Sequence, residues 1–384
     1  MTNPANSSAL KPADAQELAG MLAADTAPVE PIGRGSKRAI GRRVEARPLV
    51  LDSLCGIVDY RPAELVLTVL PGTPLEEIDE LLADNSQRFA FEPPDLGQLL
   101  GSPASLASDG ASSGQTIGGV LAANLSGSRR LTAGAARDHL LGVAAVNGRG
   151  EAFKAGGKVV KNVTGYDLPK LLAGSWGSLA VMTEVTLKVV PSAETELTLI
   201  APLHDPADAV ALLSRALGSA HEVSSAAFDP WRGAALRLEG VDASVAARRS
   251  GLLAEIGQPE VETLEAEESQ SFWTTFAGAG ALAEWPVVWK VCAPPGDAPR
   301  ILAAIQPERY LLDWGGGLIW AAFDTVHAER VRGALREGHA MLVKAPPGTR
   351  TCRLQSPSAV LAGVLDRVKL AFDPDRRLSP GRMD

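Results

Sequence analysis

Three cysteines in 384 residues, Cys55, Cys292 and Cys352, are too widely spaced to form a CxxC pair. That leaves this chain without a motif for structural zinc, thiol redox chemistry or an iron–sulfur cluster of its own, and the three read as buried packing residues. Histidine is scarce too: His139, His204, His221, His327 and His339 show no HxxH or HExxH spacing, so no metal site is expected. No run approaches the roughly 18 consecutive apolar residues of a membrane span. Residues 1–11 lack the basic-then-apolar order of a secretory signal, and the chain is expected to stay in the cytoplasm. Basic residues are the minority, 37 against 45 acidic, and the net charge of −8 argues against a nucleic-acid partner. The basic residues that do cluster, within residues 34–47, are suited to meet phosphate.

What is present is an ordinary globular composition, long enough for about two or three domains. Residues 1–26 are rich in alanine, and a short helix is predicted from Asp14 to Ala24, with Leu18, Met21 and Leu22 on one face. Pro28 and Pro31 end it and interrupt the only candidate strand nearby. Leu65 to Leu70 reads as a buried strand, turned by Pro71-Gly72 into a helix with Thr73 as N-cap, Pro74 first and Glu76 completing a capping box. Val181, Thr183, Val185, Leu187 and Val189 alternate with more polar neighbours as in a half-buried strand, closed by Pro191. There the character changes, and a domain boundary is placed near Pro191. Beyond it, Asp205 and Pro206 open a helix carrying Val210, Leu213 and Leu217, Leu318 to Phe323 reads as a buried strand, and helices are expected around residues 328–337 and 358–369. Strands with helices on one face make an α+β domain.

Three segments carry chemistry. In Pro31-Ile32-Gly33-Arg34-Gly35-Ser36-Lys37, two glycines let successive N–H groups turn toward one anion, with basic side chains alongside. A Rossmann turn competes, since Gly33 and Gly35 are spaced as GxG and Asp52 lies downstream, but the third glycine is absent and Gly41 falls in any helix that would follow. A glycine turn that binds nothing is the plainer alternative. In Thr116-Ile117-Gly118-Gly119-Val120-Leu121-Ala122-Ala123-Asn124-Leu125-Ser126-Gly127, small residues let the main chain lie against a large flat ligand, or else against a packed neighbour. The third segment, Gly165-Tyr166-Asp167-Leu168 followed by Leu171-Leu172-Ala173-Gly174-Ser175-Trp176-Gly177, opens a short helix at Asp167 and ends it at Gly174.

In this order and spacing, the three segments resemble the FAD-binding domain of the vanillyl-alcohol-oxidase (PCMH-type) family over residues 28–191. Tyr60-Arg61-Pro62-Ala63-Glu64-Leu65-Val66, Phe91-Glu92-Pro93-Pro94, Leu125-Ser126-Gly127-Ser128-Arg129-Arg130 and Lys161-Asn162-Val163-Thr164-Gly165-Tyr166-Asp167 resemble the E subunits of bacterial glycolate oxidases more closely. Asp313-Trp314-Gly315-Gly316-Gly317-Leu318-Ile319-Trp320 and Ser379-Pro380-Gly381-Arg382 extend that likeness to the end of the chain. The resemblance implies an α+β fold: a tail with a short helix over residues 1–27, a two-subdomain FAD-binding domain over 28–191, a smaller α+β cap over 192–350, and a segment returning toward the FAD domain over 351–384. It implies that Ile32, Gly33, Arg34, Gly35, Ser36 and Lys37 hold the FAD pyrophosphate. Thr116, Ile117, Gly118, Gly119, Ala122, Asn124, Ser126 and Gly127 would run along the flavin and its phosphates, with Val181 helping to enclose the cofactor. Some relatives tether their flavin through a histidine in the first loop; this loop has none, so non-covalent FAD is implied.

Catalytic members of the family carry a Gly-Asp-Gly-Asn-x-His segment in the cap, where this chain has Trp314-Gly315-Gly316-Gly317-Leu318-Ile319-Trp320. Tryptophan is neither a base nor a strong charge partner. The catalytic residues therefore stay unassigned: His327 and His339 could supply a base from elsewhere in the cap, with a surface or structural role the larger expectation. Ser379 stands where close relatives have asparagine. The activity implied is oxidation of glycolate or a similar 2-hydroxy acid, within a complex containing a second flavoprotein subunit and an iron–sulfur subunit and held at the inner membrane face through those partners. A self-sufficient 2-hydroxy-acid dehydrogenase and a scaffolding subunit with a structural or lost flavin are the alternatives. Six of seven tryptophans fall after residue 230, where core packing is the larger expected role and interface anchoring the smaller.

Overall fold

A computed structural model describes residues 9–40, 44–101, 114–158, 165–257, 260–352 and 354–382. Gly41, Arg42 and Arg43, and the Lys161-Asn162-Val163-Thr164 motif, lie outside them.

Helix α1 (Ala15–Ala24) starts where Asp14 accepts hydrogen bonds from the Gln16 and Glu17 amides. Its buried Leu18 and Leu22 join Val29, Leu49, Val146 and Leu378 in a small core. Strands β1 (Val29–Ile32) and β2 (Arg47–Val50) pair in parallel. The proline-flanked stretch is thus a strand after all, because in a two-stranded ladder few main-chain donors are needed and Pro31 fits opposite Leu49. The chain end lies along it: the Val29 amide donates to the Arg377 carbonyl, and the Ser379 amide to that of Val29.

Strand β3 (Ile57–Arg61) precedes β4 (Val66–Val69), and α2 (Leu75–Ala83) follows. Leu75, Ile78 and Leu82 of α2 are buried, each worth about 1.5–3 kcal/mol against exposure. The expected capping box does not form. Pro74 is the N-cap, and the buried Thr73 hydroxyl turns the other way, donating to the Leu70 carbonyl at 2.7 Å and accepting from the Gly56 amide at 2.8 Å. Next come β5 (Gln87–Arg88), α3 (Gly97–Leu100), α4 (Ile117–Ala123), α5 (Arg130–Ala133), α6 (Ala136–His139), β6 (Leu140–Asn147), β7 (Ala152–Gly156), α7 (Leu168–Leu172), β8 (Ala180–Lys188) and β9 (Val190–Pro191). Among the described residues, five antiparallel strands run β3-β4-β8-β6-β7, and β5 pairs with β9. As a central strand β8 is buried on both faces, Met182, Thr183 and Thr186 included, not half-buried as its alternation suggested.

The C-terminal half comprises β10 (Thr195–Ala201), α8 (Pro206–Leu217), β11 (Ser225–Asp229), β12 (Gly233–Gly240), α9 (Asp242–Ile256), β13 (Glu262–Glu265), α10 (Ala266–Ala277), β14 (Val287–Cys292), α11 (Ala298–Ile305), β15 (Arg309–Asp313), β16 (Leu318–Phe323), α12 (Ala328–Gly333), β17 (His339–Lys344) and α13 (Ala359–Phe372). Its described strands form one antiparallel sheet, β13-β10-β12-β11-β15-β16-β14-β17. Alternate residues divide between the faces. Trp289, Ile319, Ala321 and Phe323 pack under α8, α9, α11 and α12, while Val288, Leu318, Trp320, Ala322 and Val343 face the N-terminal half and share its core. The fold is α+β, with the second sheet laid against the first half.

Of two expectations about side chains, the one for cysteine fails and the one for tryptophan holds in the main. Cys55 is exposed and Cys292 and Cys352 are partly buried, so none is a fully buried packing residue. Trp231 is 62% exposed under the Arg309 guanidinium, whereas Trp273, Trp289, Trp314 and Trp320 are buried.

Candidate functional site

The glycine loop after β1 and the start of α4, some eighty residues apart, meet in space. A Cβ added to Gly33 would fall 2.4 Å from Thr116 Oγ1. Thr116 is the N-cap of α4, its hydroxyl accepting from the Gly119 amide at 3.3 Å. Gly35 has φ +74°, the left-handed region open to glycine, and it turns the loop so that Lys37 comes back toward the helix. The Lys37 ammonium lies 3.7 Å from where a Gly119 Cβ would sit. Lys37 is only 8% exposed, and burial pulls its pKa down to about 8, against a smaller upward pull from Asp95. Its ammonium donates to Ser36 Oγ at 3.1 Å and forms no ion pair among the described residues. A buried cation beside a backbone cradle that only glycine fits suits an anionic group such as a pyrophosphate.

From this cradle a strip of contacts leads to a pocket between the halves. Arg382 donates to the Lys37 and Arg38 carbonyls, approaches Glu30, and lies 5.6 Å over the Trp176 ring. Trp176 lines the pocket with Ile40, Ala123, Leu125 and Ser126; Lys290, Asp313, Trp320 and Met341 line it from the second sheet. The slot is mainly apolar with a few polar groups and adjoins the cradle, a lining suited to a flat ring; at about 30 Å³ it is nearly closed in this structure, and a ring enters only if its walls move apart.

Of the sequence-predicted residues, Gly33, Gly35, Ser36, Lys37, Thr116 and Gly119 are brought together at the cradle, with Arg34 beside it, 3.8 Å from Glu76. Ser126 reaches the pocket wall and accepts from the Ala136 amide. Ala122 holds the Trp176 amide through its carbonyl, and Asn124, at φ +49°, ends α4 and accepts from Arg137. Others meet protein. Ile32 and Ile117 are core residues, Val181 lies in the small core around Leu378, and a Cβ on Gly118 would strike Pro71 or on Gly127 the Glu92 carbonyl. Asp52, the ribose candidate of the Rossmann alternative, pairs with Lys11 at 3.3 Å instead.

Contacts that the sequence pattern does not announce join the halves. Ser128 Oγ donates to Asp313 Oδ2 at 2.7 Å, and Trp314 Nε1 to the Gly127 carbonyl at 3.0 Å. The glycine triplet sets that tryptophan: Gly315 at φ +62° and Gly316 at φ +102° form a tight turn packed on Leu217 and Val210 of α8. Burial raises the Asp313 pKa to about 6. Nearby, Arg237 grips Glu92 at 2.7 and 2.8 Å, while Glu239 accepts from Arg129 and Arg88, each at 2.6 Å. Burial pushes Glu92 and Glu239 up, but their arginines outweigh it and hold both below the usual carboxylate range. Glu92 and Arg129 sit in the quoted motifs, but their partners on β12 carry no local signal. Of the cap histidines, His327 bonds Thr325 and packs on Phe323, on the sheet face away from the pocket. His339 stands at an exposed rim near Lys290 and Arg130.

A family model described as an FAD binding domain matches residues 8–156. The glycolate oxidase subunit GlcE of Escherichia coli (strain K12) is 32% identical over 371 residues, covering 96% of this chain and 95% of that protein. The glycolate oxidase subunit GlcD of Bacillus subtilis (strain 168) is 35% identical over 186 residues, 48% of this chain and 36% of that one. A solved alkyldihydroxyacetonephosphate synthase shares the fold with a TM-score of 0.69 at 14% identity, covering 96% of this chain and 75% of the other. Fold, cradle and family match define an FAD-linked oxidoreductase with a PCMH-type flavin domain. Within that class, the chain belongs to the family of the glycolate oxidase subunit GlcE.

Proposed function

We propose that the chain holds FAD non-covalently and serves as a flavoprotein subunit of a complex that oxidises glycolate or a similar 2-hydroxy acid. The observation that carries this reading is the buried Lys37 ammonium, without an ion pair among the described residues, set where the Gly33 loop meets the start of α4. Lys37, Thr116 and the backbone around Gly33 and Gly119 hold the pyrophosphate. Trp176, Leu125, Ser126 and the face of β14 and β16 enclose the ring and exclude water from it. Bound FAD supplies the two-electron acceptor. The loop at 33–37 contains no histidine to tether it.

Relatives that are two different subunits of glycolate oxidases support the complex. A second flavoprotein subunit and an iron–sulfur subunit are the proposed partners, in the cytoplasm at the inner membrane face; no helix among the described residues is long and apolar enough to cross a membrane. Anaerobic addition of glycolate to the chain co-purified with its partners is expected to bleach the flavin absorbance. Flavin that stays oxidised in the assembled complex contradicts the proposed activity.

A further inference from the structure

Two cations that the cradle does not use converge on one indole ring. Lys290 of β14 stands on the sheet face toward the N-terminal half, opposite Trp320 in register. Its ammonium lies 5.3 Å from the Trp314 ring centre and 5.7 Å from that of Trp320. Arg130, from α5 in the other half, places its guanidinium 4.9 Å from the same Trp314 ring. Neither side chain makes a hydrogen bond or ion pair among the described residues. His339 and Cys292 pair across β17 and β14 just beyond Lys290, and neither brings a negative charge at neutral pH. The carboxylate set against Lys290 among the described residues, Asp313, is already engaged by Ser128 and the Trp314 amide.

Aromatic faces stabilise a cation by about 0.5–2 kcal/mol, but they supply no countercharge to two like charges in one half-buried place. Burial lowers the Lys290 pKa; Cys292 and Asp313 pull it up and Arg130 pushes it down, and burial prevails. The ligand that relieves this strain is negative. It is also small, because Trp320 and Met341 line the narrow space around Lys290 and the Trp314 ring lies beside it.

We propose that Lys290, which lines the inter-domain pocket, and Arg130, beside the same Trp314 ring, form an oxoanion site with His339 at its rim, and that the site takes the carboxylate of a small organic acid. Its description as a substrate site rests on the flavin reading above; its description as an anion site does not. A planar carboxylate presents two oxygens, one for each cation, between flat indole walls. Binding there ties the cap to the flavin domain, so the acid itself helps to close the pocket.

Calorimetric titration of the full FAD-loaded chain with oxalate, which has no C–H bond to oxidise, tests this. Saturable binding is expected, at least about tenfold weaker in Lys290→Met and Arg130→Met and nearly retained in Lys290→Arg. FAD retention and the thermal midpoint of the same preparations report folding, and Lys290→Gln repeats the test with a smaller change of shape. Equal oxalate affinity in wild type, Lys290→Met and Lys290→Gln, or inorganic phosphate binding as tightly as oxalate, overturns the proposal. A chain that keeps no FAD yet binds oxalate through Lys290 sustains the anion site and overturns only the flavin reading.

Discussion

Gly33 faces Thr116 so closely that a Cβ on the glycine would lie 2.4 Å from the threonine hydroxyl oxygen. This contact brings the first loop to the start of α4 and leaves the cradle lined by backbone. Gly33→Val is expected to push the two segments apart, costing about 1–3 kcal/mol of stability and weakening FAD binding by at least about tenfold. Flavin fluorescence titration and thermal unfolding read the two effects. Unchanged affinity would detach the loop from the cofactor.

Lys37 gives opposite pH dependences to folding and binding. Its folded pKa of about 8 lies below the ordinary lysine value of 10.5, so between these pH values the unfolded chain binds more protons and the FAD-free protein gains stability as pH rises. An anion prefers the protonated lysine, so FAD affinity is expected to be level below pH 8 and to fall above it. Lys37→Met should remove both dependences. FAD affinity rising from pH 8 to 10 contradicts the assignment.

Asp313 has the inverse sign. Its pKa is raised from 3.8 to about 6, so its contribution to stability is greatest at low pH, falls between these values and stays low above about 6, a loss of about 3 kcal/mol at most. Asp313→Asn keeps an acceptor for the Trp314 amide and is expected to make the FAD-free chain more stable at pH 7 by about 1–2 kcal/mol. Urea unfolding measures it, and a less stable variant shows that the carboxylate is needed where it lies.

Removing Arg237 leaves Glu92 and Glu239 short of a buried partner. Arg237→Met is expected to cost about 3–5 kcal/mol, and to cost less when combined with Glu92→Gln, because the uncompensated charge then goes as well. Chemical denaturation of the four variants of this cycle provides the test. Additive losses mean the pair does not act as one unit.

The helices and strands were legible where one segment holds its own signal: Asp14 before α1, Asp205-Pro206 before α8, and the apolar run of β16. The cap of α2 was misread because Thr73 has a choice of partners, and the fold gives it the Leu70 carbonyl and the Gly56 amide. The strand at Val29 was hidden by prolines that a two-stranded ladder tolerates. At the site, glycine spacing pointed to the cradle but could not say which glycines meet a ligand side and which meet protein, as Gly118 meets Pro71. Lys290 was invisible because its role comes from Trp314 and Arg130, supplied by a turn after β15 and by the other half of the molecule.

The most direct measurement is the flavin content of the purified full chain after incubation with FAD and desalting, for wild type and Lys37→Met side by side. One FAD per wild-type chain, released on acid denaturation, with most of it lost from the variant, is the expected result. A wild-type chain without flavin, or equal retention in both, contradicts the claim that this cradle holds the cofactor.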